Sequence, residues 1–220
     1  MEDARQNAKA ILNNNQADFG LWDLYAQMEI RQGGASIARK VYQGALQLAQ
    51  QKQCLATADD SVARLYLSFA HLELSMKSLH RSVHVLACMG EGVFSEPPPI
   101  PKKKQSADLK STPILSSMRL LRARKGLTTS LEKCFLSSES ENRRQLKEAD
   151  ALVMQAAALF ERLVVDRDGL YYAFMLYKRF IHSSWLQQQR SSKWHLQLCI
   201  AYVKLLVGDT EREAYFRDDR

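Results

Sequence analysis

Leu21-Trp22-Asp23-Leu24-Tyr25-Ala26-Gln27-Met28-Glu29-Ile30-Arg31-Gln32-Gly33-Gly34 runs directly into Ala35-Ser36-Ile37-Ala38-Arg39-Lys40-Val41-Tyr42-Gln43-Gly44-Ala45-Leu46. In the first half Leu21, Trp22, Tyr25, Met28 and Glu29 recur at three and four residues, the spacing of one face of a helix. Asp18 stands where a side-chain cap would open that helix, and Gly33-Gly34 stops it. In the second half, a helix expected over 36–51, Ala38, Val41, Tyr42, Ala45, Leu46 and Ala49 form one stripe. Its alanines permit close approach while the larger residues fill the neighbouring grooves. The stretch therefore reads as a tight helical hairpin.

The same chemistry returns 44 positions later, where Trp22, Tyr25 and Glu29 map onto Tyr66, Phe69 and Glu73. Asp59 or Asp60 opens that helix and a shorter one follows over about 79–89. A helix over 2–13 precedes both hairpins, with Ala4, Ala8, Ile11 and Leu12 on one face, and Asn13-Asn14-Asn15 closes it. The second hairpin departs from the first at two places. Lys77 stands at the turn glycine and Val83 at the arginine.

Outward from the hairpins the pattern breaks and resumes. Glu96-Pro97-Pro98-Pro99-Ile100-Pro101-Lys102-Lys103-Lys104 combines residues that forbid helix with residues that favour solvent. We expect helical hairpins over 1–90, a flexible basic Pro-rich insertion over 91–113, and further degenerate repeats over 114–207. Residues 208–220 read as the start of another helix or a disordered tail, since Thr210-Glu211-Arg212-Glu213 has capping-box spacing. Within 114–207 periodicity returns at Ile114, pauses over 137–140, and is strong over 142–165, with Ala149, Leu152, Ala156, Leu159, Phe160 and Leu163 aligned. An aromatic helix over 170–188 and a last helix over 193–207 follow. The apolar face of the opening helix and the late capping box suggest part of a longer array.

Composition agrees. Gly and Pro number 9 and 5 among 220 residues, and four of the five prolines fall between Pro97 and Pro101, so helix is favoured and strand is not. The expected class is all-α, a superhelical solenoid of antiparallel hairpins. No apolar run approaches the roughly 20 residues that span a bilayer, and no secretory leader opens the chain. Cys54, Cys88, Cys134 and Cys199 lie 34 to 65 residues apart, as expected of reduced thiols in cytosol or nucleus. The net charge of +7 is uneven: residues 97–147 hold twelve Lys or Arg against four Asp or Glu. Such a segment fits an acidic partner, a nuclear-import signal or a solvated linker.

The hairpin resembles the half-a-TPR (HAT) repeat through Trp22, Tyr25, Glu29, Gly33, Ala38, Arg39, Val41, Tyr42, Ala45 and Leu46. The resemblance implies that Trp22 and Tyr25 pack between the helices. It likewise makes Glu29 a polar acceptor across the repeat, and Ala38 and Ala45 the close-contact positions. Tyr66, Phe69 and Glu73 carry the first helix of a second copy. Broken repeats, the long polar insertion and the Asn13-Asn14-Asn15-Gln16-Ala17-Asp18 lead resemble most the nuclear RNAi defective (NRDE) family. That likeness implies a nuclear scaffold that associates with an exosome-linked RNA helicase and splicing factors; from the residues themselves no cofactor, metal or membrane is expected.

The same residues admit other chemistry. Trp22, Tyr25, Tyr66 and Phe69 could stack RNA bases, but their helical spacing favours a core. Glu29 and Glu73 could serve as an acid-base pair, yet they occupy equivalent places in separate hairpins, which favours structural hydrogen bonds. His80, His84 and Cys88 recur every four residues and could offer three metal ligands, with no fourth marked by spacing. Lys102, Lys103 and Lys104 are candidates for nuclear import or RNA contact. No Gly-rich phosphate loop, nucleophile elbow or His-Glu-x-x-His occurs, so catalysis is not expected. Two further expectations stay open: direct RNA binding through 97–147, and a cytosolic TPR-like adaptor for peptides.

Overall fold

The computed structural model describes residues 2–54, 60–97, 115–140, 148–164, 169–181, 193, 196–201 and 203. Every regular element among them is helical. In order they are α1 (Glu2–Asn14), α2 (Phe19–Arg31), α3 (Ala35–Gln51), α4 (Asp60–Ser75), α5 (Leu79–Glu91), α6 (Ser117–Ser140), α7 (Glu148–Val164) and α8 (Gly169–Ile181). Residues 193, 196–201 and 203 are also helical. Where residues are described the expected segments are helical, with two differences, while much of the helices expected over 170–188 and 193–207 lies outside the described residues. α5 runs two residues longer, and α6 passes unbroken through the serines at 137–140, whose run does not interrupt the ladder. Lys102, Lys103 and Lys104, residues 98–114 and residues 208–220 lie outside the described residues.

The chain divides into two compact units, Met1–Leu127 and Thr128–Arg220. In the first, α2 packs on α3, α4 on α5, and α4 lies against both α2 and α3. Its core holds Tyr25, Ala38, Tyr42, Ala45, Leu46, Leu65, Tyr66, Phe69 and Leu86, all buried, while Leu21, Trp22 and Met28 of the same spacing are only part-buried. In the second unit α7 packs on α8. Ala149, Ala151, Ala156, Ala157 and Ala158 let a neighbouring helix come close, and Met154 and Phe160 fill the remaining space beside Ala173 and Tyr177 of α8.

Local chemistry sets the helix ends. Asp18 Oδ1 accepts from Gly20 N at 3.0 Å and Leu21 N at 3.2 Å, satisfying two donors that α2 cannot bond internally. Three helices end alike, in a cap that closes a six-residue loop through a left-handed residue. At α2, Gly34 N donates to Glu29 O at 2.8 Å around Gly33, φ +78°. At α4, Ser78 N donates to Glu73 O at 2.8 Å around Lys77, φ +57°. At α5, Val93 N donates to Cys88 O at 3.3 Å around Gly92. Lys77 therefore repeats the backbone of Gly33 although its Cβ disfavours it, so the 44-residue period survives in the backbone where the side chain departs from it.

α6 meets α5 through backbone. A Cβ on Gly126 would strike Gly90 O, and one on Gly90 would strike Ala123 O, so both positions require glycine for contact and not for conformation. Beyond α5, residues 93–97 fall in the stretch expected to be a solvated insertion, yet they lie on the first unit. Phe94 and Pro97 are buried, Phe94 N donates to Gln50 Oε1 at 2.6 Å, and the Phe94 ring meets Tyr66 edge-on at 6.4 Å. The Phe94 ring anchors this strap, because burying it gains more than the exposed backbone gives up.

The two turns yield a stability prediction. Lys77→Gly removes the left-handed strain and raises the unfolding free energy by about 1 kcal/mol, whereas Gly33→Ala lowers it by about 1 kcal/mol. Urea denaturation followed by helical circular dichroism measures both, and equal effects of the same sign would refute the shared cap.

Candidate functional site

The polar interior of the first unit is a run of arginine–glutamate pairs between successive helices. Glu29 and Glu73 have no exposed surface. From α1, Arg5 donates to both Glu29 oxygens, Nε to Oε1 at 2.9 Å and Nη2 to Oε2 at 2.8 Å. From α3, Arg39 donates to Glu73 in the same two-pronged way at 2.6 and 2.8 Å. Two parallel charge-assisted bonds fix both distance and orientation, which suits arginine and not lysine. Arg81 of α5 brings Nε to 3.2 Å of Glu73 Oε1 without hydrogen-bond alignment, so its contribution there is charge alone. Glu73 thus joins three helices.

Arg5 precedes Arg39 by 34 residues, and Leu12 precedes Leu46 by the same interval. That offset is the signal that could have paired α1 with α3. The HAT resemblance makes Glu29 a polar acceptor across the repeat and implies no partner for Arg39. In the structure Arg39 reaches forward to the next buried glutamate, not back to Glu29.

A second buried link lies beside the ladder. Asp23 is 2% exposed, and its carboxylate accepts from Tyr42 Oη at 3.0 Å and Gln27 Nε2 at 2.8 Å. Burial raises the Asp23 pKa, against the lowering pull of bonds from Tyr42, Ser68 and Gln27 and of the Arg64 charge. Burial and then the Asp23 charge push the Tyr42 hydroxyl far above its ordinary value, so it stays a donor. The Tyr42 ring stacks on Phe69 at 5.5 Å and 17°. Tyr25 is buried as expected, whereas Trp22 is half-buried and donates its indole N–H to Gln16 O at 3.2 Å. The stacked ring pair therefore joins α3 to α4 and does not include Trp22.

The third constellation gathers His84 and Cys88 of α5, Ser95 of the strap, and Arg119 of α6. Arg119 Nη1 lies 2.9 Å from His84 Nδ1, and since guanidinium only donates, Nδ1 is the acceptor. The imidazole proton then sits on Nε2 and is donated to Ser95 O at 2.9 Å. Arg119 also reaches Cys88 Sγ at 3.2 Å, and its Nε lies 3.2 and 3.1 Å from the Glu91 oxygens. Both ring nitrogens are therefore committed, and a cation already fills the place a metal would take. No group of three His, Cys, Asp or Glu suited to a metal occurs among the described residues. Burial foremost, then the Arg119 and Arg81 charges, lower the His84 pKa, while the bond to Ser95 O and the Glu91 charge act the other way.

No protein-family model matches the chain, and no solved structure does. One curated protein gives the useful comparison. The chain is similar to the nuclear exosome regulator NRDE2 of Mus musculus. Identity is 27% over 172 residues, covering 74% of this chain and 13% of the mouse protein, so the chain spans about an eighth of that relative's length. The match supports a distant NRDE-like relationship. Among the described residues no helix is long and apolar enough to cross a membrane.

Two measurements follow from these clusters. Glu73→Ala leaves Arg39 and Arg81, both part-buried, without their shared counter-charge and costs about 3 kcal/mol. Glu29→Ala costs about 1–3 kcal/mol, because Arg5, 37% exposed, recovers water; denaturant midpoints that rank the two in reverse would refute the three-helix role of Glu73. For His84 the folded pKa lies below the ordinary 6.5, so its neutral form contributes fully above that pH. The contribution is lost as pH falls from 6.5 through the folded value. Melting temperature measured across this window falls with acid in the parent chain, and His84→Gln flattens that part of the slope.

Proposed function

We propose that this chain is a non-catalytic, protein-binding section of a nuclear RNA-processing scaffold, acting in exosome-linked RNA decay. The observation that carries the reading is the similarity to the mouse nuclear exosome regulator across 172 residues. The arrangement of the first unit supports it. Arg5–Glu29 and Arg39–Glu73 link each helix pair to the one before, as stacked hairpins of a superhelical solenoid require. In such a stack the side chains between repeats are spent on assembly, and outward faces are left to hold other molecules. The HAT-like residues Trp22, Tyr25, Glu29, Gly33, Ala38, Arg39, Tyr42 and Ala45, with Tyr66, Phe69 and Glu73, then serve architecture and touch no substrate. The partners are proteins of nuclear RNA-processing complexes, an RNA helicase and splicing factors among them, and residues 102–104 direct import.

Affinity purification of the intact tagged chain from nuclear extract tests this. Enrichment of an RNA helicase with exosome or splicing components is expected. Recovery of cytosolic chaperones and metabolic enzymes alone would defeat the nuclear scaffold reading.

A further inference from the structure

The first half of α6 is tied down on one side and bare on the other. Ala123 and Leu127 are buried, Gly126 sits on the Gly90 backbone, and Arg119 is bound to Glu91, His84 and Cys88. These contacts fix the rotation of the helix about its own axis. Met118, Leu121, Arg122 and Lys125 follow the i, i+3, i+4, i+7 spacing of a single face, turned away from Ala123 and Leu127. All four are exposed, Met118 at 63% and Leu121 at 61%. A face meant only for solvent would not set two large apolar side chains between cations.

We infer that this face docks an acidic amphipathic helix of a partner protein, whose apolar side covers Met118 and Leu121 and whose carboxylates meet Arg122 and Lys125. The inference rests on the protein-binding role proposed above, but not on its compartment. Charge complementarity selects the occupant. Residues 97–147, which include this helix, hold twelve cations against four anions, so an acidic segment is drawn to this part of the chain and a basic one repelled. Apolar anchors at helical spacing are the recognition elements of helix-on-helix docking, with charges at the rim setting register and partner choice. RNA phosphates would answer Arg122 and Lys125 but leave Met118 and Leu121 in water. No aromatic residue between Ser117 and Lys133 is present to stack a base.

Fluorescence anisotropy with the intact chain tests this. The probes are a roughly 18-residue peptide, about five helical turns, with leucine at i, i+3, i+4 and i+7 and glutamate on its flanks, the same peptide with lysine for glutamate, and a uridine oligomer. The glutamate peptide binds at least about tenfold tighter than the lysine peptide, a difference of about 1.4 kcal/mol. Leu121→Asp weakens it at least about tenfold, and Arg122→Glu with Lys125→Glu reverses the preference between the peptides. Both changes are at exposed positions, so circular dichroism stays that of the parent chain. Absence of binding, equal binding of both peptides, indifference to Leu121→Asp, or tighter binding of the uridine oligomer each overturns the inference. Nuclear purification of the Leu121→Asp chain separates the two readings: unchanged recovery of RNA-processing partners rejects this face while leaving the scaffold role intact.

Discussion

Burying a carboxylate with no exposed surface is costly unless donors or counter-charge surround it. Glu73 receives an arginine from α3 and another from α5, and the positions of three helices follow from the one requirement. Glu29 applies the same rule with one arginine, from α1. The pairs are directional in a way apolar burial is not. Leucines along a helix face can slide by a turn and still be covered, whereas a two-pronged guanidinium fits its carboxylate in one register. Such links add less net stability than their geometry suggests, since desolvation opposes them, but they specify which helix follows which.

The sequence made the helices legible because side-chain periodicity reports directly on a helix face, and the 44-residue echo from Trp22 to Tyr66 exposed the hairpins. Capping was legible at Asp18 and Gly33, where residue type alone selects the backbone. The charged links were not. Arginine reaches far enough to span two turns, so spacing does not say which glutamate it meets; Arg39 crosses 34 residues to Glu73 and Arg119 crosses 28 to Glu91. Lys77 hid a left-handed turn because the helix-ending bond from Ser78 N to Glu73 O closes around a residue whose own preference opposes that conformation. Phe94 is a buried ring inside what reads as linker, because Val93 and Phe94 alone are too short an apolar run to show a period.

The His84 cluster shows how a metal-like pattern is consumed by architecture. Imidazole and thiol four residues apart would suit a soft cation, yet a guanidinium occupies their shared side, and the strap backbone takes the remaining ring proton. The cluster joins the end of α5, the strap and the start of α6. It therefore holds the outward face of α6 in a fixed orientation, which a docking surface needs if its partner is not to bear the cost of ordering it.

The crossing of α6 over α5 has a consequence for how such a chain tolerates change. Where two helices meet through side chains, each substitution at the junction alters their separation, and drift in sequence becomes drift in shape. Here the separation is fixed by main-chain atoms at Gly90, Ala123 and Gly126. Outside the Arg119 cluster and the buried Ala123 and Leu127, neighbouring residues can change without altering that separation, provided two hydrogens are never replaced by methyl groups; distant descendants could keep the same approach of these helices while sharing little else.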